Sequence, residues 1–209
     1  MTKDIVKYKE RLDKIWEKYK PGVKFGIHDR LHHGGLLFVG INPSEVNSIQ
    51  EHQEKDKNGN IVYSKEFSDE YHYFKKYKEI AKEVEMEWAY ADYCYVIETT
   101  QSSVVEKYIE NSELKEFVAE QYAIAKDIIK EVAPKLIVVC NAKASELIKE
   151  DLIKKEGGLF DNAIGTYRLN DKNQTPIIFS SMLTGQRAMD VHSYERMLWQ
   201  IKLILGKLK

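Results

Sequence analysis

The segment 36–44 is a short apolar run that ends at a glycine and is followed by an asparagine, a proline and a serine. A run this short and this apolar predicts a strand buried on both faces, and Gly40 permits a sharp turn at its carboxyl end. Pro43 fixes its own φ and restricts Asn42 to an extended conformation. Asn42 is therefore predicted to be a positioned polar group at the rim of a sheet.

Similar strands alternate with amphipathic helices along the rest of the chain. The predicted strands after the first cover 88–95, 135–140, 166–169 and 176–180, and the predicted helices cover about 5–19, 74–84, 114–132, 142–148 and a last one that begins near Asp190. This alternation implies right-handed βαβ crossovers. It predicts an α/β fold, a three-layer α/β/α sandwich around a central, mainly parallel four-stranded sheet, for which 176–180 is a better core strand than 166–169.

Polar residues follow the predicted strands at their carboxyl ends, where open α/β sheets bind ligands. They are Asn42, Asp92 with Tyr95, Asn141, and the segment 180–187. Their convergence predicts a single site.

Length and charge restrict the classes of protein that remain. A chain of 209 residues fits one domain, here with a polar insertion at about 45–70 in which Asn58-Gly59 predicts a turn or small hairpin. The formal net charge of -1 offers no general attraction to nucleic acid phosphates. No apolar stretch approaches the roughly 20 residues that a membrane helix needs. We therefore expect a soluble, cytoplasmic monomer without a membrane partner.

Nothing in the sequence predicts a metal or another cofactor. Cys94 and Cys140 lie far apart and form no C-x-x-C pair, which argues against a zinc ribbon or a disulfide framework. The segment 28–33 contains three histidines and an aspartate, but adjacent histidines in a polar loop are more often exposed than ligating. We assign no metal and no cofactor.

The motif Gly40-Ile41-Asn42-Pro43-Ser44 resembles the first motif of the uracil-DNA glycosylase superfamily, most closely its mismatch-specific and single-strand-selective branches. Three later segments, 91–101, 137–142 and 179–187, are similar to the second-strand region, the third strand and the second catalytic motif in the order of that family. The resemblance spans roughly residues 30 to 200. It implies a hydrolase of DNA repair that excises uracil or a related damaged base from DNA without a cofactor.

The resemblance also implies roles for individual residues. Asn42 would orient a water, and Ser181 stands in the second catalytic motif. The base would be held by Ile41, by Asn141 through its amide, and by Phe74 as a stacking platform. Ser44, Gln186 and Arg187 would contact DNA. The second motif departs from the family, because Ser180-Ser181-Met182 has neither the usual histidine or asparagine nor the proline.

Each of these roles has a structural alternative. Asn141 is equally well explained as a turn former, and Phe74 falls in helical register with Tyr77 and so suits a core position. Asp92 is either a helix cap or a salt-bridge partner, and Arg187 a solvated surface group. For the whole chain, the alternatives are a superfamily member that binds a base, a nucleotide or a nucleic acid end without turnover, and an enzyme acting on another N-glycoside.

Overall fold

The computed structural model describes residues 3–44, 50–185 and 188–207. Its α-helices are α1 Lys3–Tyr19, α2 Lys65–Glu70, α3 Lys75–Glu83, α4 Gln101–Val104, α5 Lys115–Val132, α6 Ala142–Ile148 and α7 Val191–Ile204. Its strands are β1 Gly26–His28, β2 Leu36–Gly40, β3 Gln53–Lys55, β4 Ile61–Tyr63, β5 Trp88–Asp92, β6 Leu136–Cys140, β7 Leu159–Asp161, β8 Thr166–Arg168 and β9 Pro176–Ser180. Short 3₁₀ turns lie at Gln50–His52, His72–Phe74 and Ser112–Leu114, and π-helical turns at Val105–Ile109 and Lys149–Lys155.

The chain forms two compact units, and each is assembled from three stretches of sequence. The first unit contains residues 1–31, 41–71 and 90–131, and the second contains 32–40, 72–89 and 132–209. The prediction of one domain with an insertion at about 45–70 stays a prediction.

The first unit is built on α1, α5 and a three-stranded sheet of order β1-β4-β3. β1 pairs with β4 in parallel, and β3 and β4 form the antiparallel hairpin that Asn58-Gly59 predicted. The hairpin turn closes because the Asp56 carboxylate accepts hydrogen bonds from the backbone N–H groups of Asn58 and Asn60. Inside the unit, Trp16 of α1 meets Phe25 and Phe117 edge-on at ring-centroid distances of 5.0 and 4.9 Å.

The second unit contains most of a six-stranded sheet of order β5-β2-β6-β9-β8-β7, with β5 starting there at Trp88. β2 pairs with β6 and β6 with β9 in parallel, whereas β8 is antiparallel to both β9 and β7. Every residue of β2 and of β6 is buried. This full burial explains why the two strands read as continuous apolar runs in the sequence.

The α/β class is confirmed, but the predicted size and uniformity of the sheet are not. The sheet has six strands and is mixed, because an antiparallel hairpin, β7-β8, extends it beyond β9. β7 was not predicted from the sequence. It has only three residues, and because two of them, Leu159 and Phe160, are exposed, it shows no alternation of buried and exposed positions. Among the described helices, none is both long enough and apolar enough to cross a membrane.

Candidate functional site

Asn42 lies two residues beyond β2, and its side-chain amide is held by the backbone. Its Nδ2 faces the carbonyl oxygens of Pro43, Val96 and Glu98 at 2.7, 3.3 and 3.0 Å. A carbonyl oxygen can only accept a hydrogen bond, so the amide must turn its nitrogen toward these three groups. The conformation of Asn42 is therefore fixed by contacts that involve only its donor atom.

The acceptor atom of the same amide is left for another partner. No described residue donates a hydrogen bond to Asn42 Oδ1, and the side chain is half-buried. A fixed amide that presents an acceptor can orient a water molecule or a donor group of a ligand. The family resemblance implies the same water-orienting role for Asn42, and that role stays a prediction.

The segment that supplies two of these carbonyls is itself fastened by Gln121 of α5, a residue with no exposed surface. Gln121 Oε1 accepts a hydrogen bond from the backbone N–H of Tyr95 at 2.8 Å and lies 3.3 Å from the sulfur of Cys94. Sequence analysis did not single out Gln121. The signal was present, because Gln121 lies four residues from both Phe117 and Ala125 and so falls within the apolar stripe of the helix.

The neighbours of Asn42 make backbone contacts. Ile41 is buried, and its carbonyl oxygen accepts a hydrogen bond from the N–H of Cys94 at 2.8 Å. Ser44 is exposed, and its carbonyl oxygen accepts a hydrogen bond from the hydroxyl of Tyr63 at 2.8 Å. The base-binding role of Ile41 and the DNA-binding role of Ser44 stay predictions.

Asn141 belongs to the second unit and caps the amino terminus of α6. Its Oδ1 accepts hydrogen bonds from the backbone N–H groups of Lys143 and Ala144 at 2.9 and 3.1 Å, and the residue is 5% exposed. The amide oxygen is thereby saturated, so that only the Nδ2 donors can serve a ligand. Asn141 can donate to a base carbonyl, but in this conformation it cannot also accept from a ring N–H.

Ser181 follows β9 and is exposed. Asn141 and Ser181 follow neighbouring parallel strands whose register pairs Cys140 with Ser180, so both leave the sheet at the same edge. The hydroxyl of Ser145 donates to the carbonyl oxygen of Ser180 at 3.1 Å and ties α6 to this strand end. Gln186 and Arg187, the predicted DNA contacts of the second motif, lie outside the described residues.

Phe74 occupies a core position in the second unit. It is 2% exposed, and its ring lies 5.2 to 5.8 Å from the rings of Tyr73, Tyr77 and Trp88. The structural alternative noted for Phe74, helical register with Tyr77, agrees with this packing. Stacking on a base would require the ring to leave these neighbours, and that role stays a prediction.

A second polar cluster, centred on His28 and Asp92, lies inside the first unit. His28 was expected in an exposed loop, and this expectation is wrong: the residue ends β1 and is 7% exposed, whereas His32 and His33 are exposed as expected. Its ring stacks on Tyr63 at 4.6 Å and meets Tyr90 edge-on at 4.8 Å. The burial follows from the pairing of β1 with β4, two strands that are distant in sequence.

Asp92 is the polar neighbour of the His28 ring. His28 Nε2 lies 3.5 Å from Asp92 Oδ2, and the hydroxyl of Tyr90 donates to Asp92 Oδ1 at 3.1 Å. Burial raises the pKa of Asp92 to about 8 and lowers the pKa of His28 to about 3. Separated charges are disfavoured in such surroundings, so a neutral carboxylic acid faces a neutral imidazole near pH 7.

This cluster predicts a specific pH dependence of stability. The pKa of Asp92 is higher in the folded than in the unfolded protein, so the stability that Asp92 contributes is lost as the pH rises toward 8. The pKa of His28 is lower in the folded protein, so the stability that His28 contributes is lost only as the pH falls below the ordinary histidine value of 6.5. Of these two groups, only Asp92 makes the stability depend on pH between about pH 6.5 and 8, and we expect it to lower the free energy of unfolding by on the order of 1 to 2 kcal/mol across that range. Asp92→Asn should remove that slope in chemical denaturation measured across this range.

The matched control is Asp190→Asn. Asp190 caps α7 through the backbone N–H groups of His192 and Ser193, and asparagine caps as well as aspartate. Because hydrogen bonds to Ser193 hold the pKa of Asp190 below its ordinary value, this control should keep the wild-type slope above pH 6.5. An unchanged slope in Asp92→Asn would contradict the assignment.

One group in the first unit has residue types that bind metals. His52 Nε2 lies 3.1 Å from Glu70 and 3.9 Å from Glu51, and their ligand atoms fit within 4.8 Å of one another. Both glutamates are exposed, and a surface ion pair accounts for the arrangement. We assign no metal to it.

Because comparison with known proteins assigns no family, a function for this chain must be argued from its fold and from the contacts described above. No protein-family model matches the chain, and the search of curated proteins gives no match either.

Proposed function

We propose that the protein is a divergent uracil-DNA-glycosylase-like hydrolase that cleaves the N-glycosidic bond of uracil or a related damaged base in DNA. Under this proposal, β5, β2, β6 and β9 correspond to the four central strands of that fold. The observation that carries the proposal is the state of Asn42: its nitrogen is engaged by backbone carbonyls, and no described residue donates a hydrogen bond to its acceptor oxygen.

Asn42 suits the chemistry of this bond. Breaking the bond between deoxyribose and a pyrimidine builds positive charge on the sugar and negative charge on the base, so the reaction depends on placed dipoles more than on a strong base. Asn42 Oδ1 accepts a hydrogen bond from the water whose oxygen attacks the anomeric carbon. The bonding electrons leave with the base, and the water proton passes to solvent.

Base recognition by Asn141 is restricted under the same proposal. Since its Oδ1 already accepts two backbone N–H groups, its contribution is donation from Nδ2 to a carbonyl oxygen of the base. Uracil and other oxidised or deaminated pyrimidines all present such a carbonyl. The proposal therefore covers several damaged bases and does not require the full edge of uracil to be read.

A second candidate, a binding protein without turnover, is favoured by two observations. The segment Ser180-Ser181-Met182 offers no imidazole or side-chain amide to stabilise a departing base. The saturated oxygen of Asn141 also removes one of the contacts that would distinguish uracil. Such a protein would recognise a base, a nucleotide or a nucleic acid end.

An excision assay tests the leading proposal. Purified protein should convert single- or double-stranded oligonucleotides that contain uracil, or one of a panel of damaged pyrimidines, into alkali-labile abasic products. A known glycosylase serves as the positive control. If every substrate stays intact while the control enzyme cuts the uracil strands, the hydrolase proposal fails.

Thermal unfolding with nucleobases and short oligonucleotides then separates the two candidates. Stabilisation by a ligand that is not turned over supports the binding protein, because a ligand that binds only the folded state raises the unfolding temperature. Absence of any response, together with absence of turnover, would remove both candidates.

A further inference from the structure

Helix α7 has apolar residues on two opposite faces. Met197 and Ile201 are 6% and 0% exposed and form the inner face. Trp199 lies two residues from each of them, which at 100° per residue places it on the opposite side, where it is 55% exposed. Because tryptophan is enriched at protein–protein interfaces relative to the rest of the surface, this outer face is a candidate docking surface.

Trp199 forms a ridge with a groove on either side, all within the second unit. One groove, of about 550 Å³, runs toward the end of α3 and includes Glu83, Glu195 and Lys202. The other, of about 410 Å³, runs toward the loop between β7 and β8 and includes Ile164 and Leu203. A projecting indole with a groove on either side can interdigitate with the same arrangement on a second molecule.

We propose that the outer face of α7 is a two-fold interface between two copies of this chain, in which the α7 helices cross antiparallel beside Trp199. An isologous contact requires a patch that complements itself. Here Trp199 lies near the centre of the helix and contributes the largest apolar side chain, the kind of residue that most often dominates an interface.

The charges on α7 favour an antiparallel pairing. Glu195 lies one turn before Trp199, and Lys202 lies about one turn after it. Antiparallel helices place the first half of one against the second half of the other, so each Glu195 comes to Lys202 of the second copy. Lys202 already pairs with Glu83 at 2.8 Å and would then lie between two carboxylates.

The same charges argue against nucleic acid as the occupant of this face. The larger groove beside Trp199 is lined by three glutamates, at positions 83, 85 and 195, and by two lysines, Lys202 and Lys207, which pair with Glu83 and Glu85. It therefore has no excess of positive charge that would attract a phosphate backbone. Sequence analysis predicted a monomer, and the proposed interface departs from that prediction.

Sedimentation equilibrium of the purified chain tests the interface. Between about 1 µM and about 1 mM we expect wild-type protein to pass from monomer to dimer, and Trp199→Glu to remain monomeric. The matched control is Val6→Glu, which introduces the same charge at a residue of α1 that is 38% exposed. Val6→Glu should dimerise as the wild type does, and thermal unfolding should show that both variants are folded.

Charge exchange tests the antiparallel register independently. In a Glu83→Gln background, which removes the carboxylate that Lys202 contacts within its own chain, Glu195→Lys should weaken dimerisation at least about tenfold. The double exchange Glu195→Lys with Lys202→Glu in the same background should restore most of it. Wild-type protein that stays monomeric throughout, or a Trp199→Glu variant that still dimerises, would overturn the proposal. A double exchange that dimerises no better than Glu195→Lys would overturn the antiparallel register.

Discussion

Replacing Asn42 with alanine is expected to lower the rate of uracil release by about 100-fold or more, because the variant loses the acceptor that orients the attacking water. The loss should appear mainly in the rate constant of base release measured under single-turnover conditions. Binding of the oligonucleotide should change much less, since the remaining contacts to DNA do not involve Asn42.

Asn42→Ala also removes the contacts of Nδ2 with three backbone carbonyls, so loss of activity through unfolding must be separated from loss of chemistry. Asn60→Ala is the matched control. Asn60 is 4% exposed, and its Oδ1 accepts a hydrogen bond from the N–H of Phe25 at 3.2 Å. Both variants should lose on the order of 1 to 3 kcal/mol of unfolding free energy. Equal loss of turnover in both would show that Asn42 acts only through stability.

Replacing Gln121 with methionine is expected to cost about 2 to 4 kcal/mol of unfolding free energy. Methionine preserves the length and approximate volume of the side chain, but it leaves the buried N–H of Tyr95 without its acceptor. Because the same segment supplies the carbonyls of Val96 and Glu98 that hold Asn42, the proposed activity should fall as well. Urea unfolding monitored by circular dichroism gives the stability change.

Gln200→Met is the comparison, because it makes the same substitution at a position that solvent can reach. Gln200 Nε2 donates to the carbonyl oxygens of Ile164 and Gly165 at 2.9 and 3.1 Å, near the surface. Water can replace those contacts, so the variant should lose less than about 1 kcal/mol when it is measured at low protein concentration. A loss in Gln121→Met no larger than this would show that the buried acceptor contributes little.

The regular parts of the fold were predictable because their signals are local. The apolar runs of β2, β6 and β9 and the helical stripe of α5 occur at the predicted places, with ends that differ by only a few residues. The last helix begins next to Asp190 as predicted, and Asp190 is its N-cap residue. The turn at Asn58-Gly59 joins the predicted hairpin, since a short-range turn preference is sufficient to specify it.

The parts that were not predictable depend on contacts distant in sequence. β1 is only three residues long and gains its parallel partner at Ile61–Tyr63, so the burial of His28 cannot be read from its neighbours. The cap role of Asn141 could have been predicted, because an asparagine that directly precedes a helix is a preferred cap residue. The orientation of the Asn42 amide could not have been predicted, since two of the carbonyls that fix it lie more than fifty residues later in the sequence.

Because each compact unit is divided among three stretches of sequence, the two units are completed at different times during synthesis on the ribosome. The last stretch of the first unit ends at Glu131, whereas the second unit still needs residues up to Lys209. Domains generally fold as units during synthesis, beginning from the amino-terminal side. The unit that carries Asn42 therefore has its full set of residues while residues 132–209, the last stretch of the second unit, are still being translated.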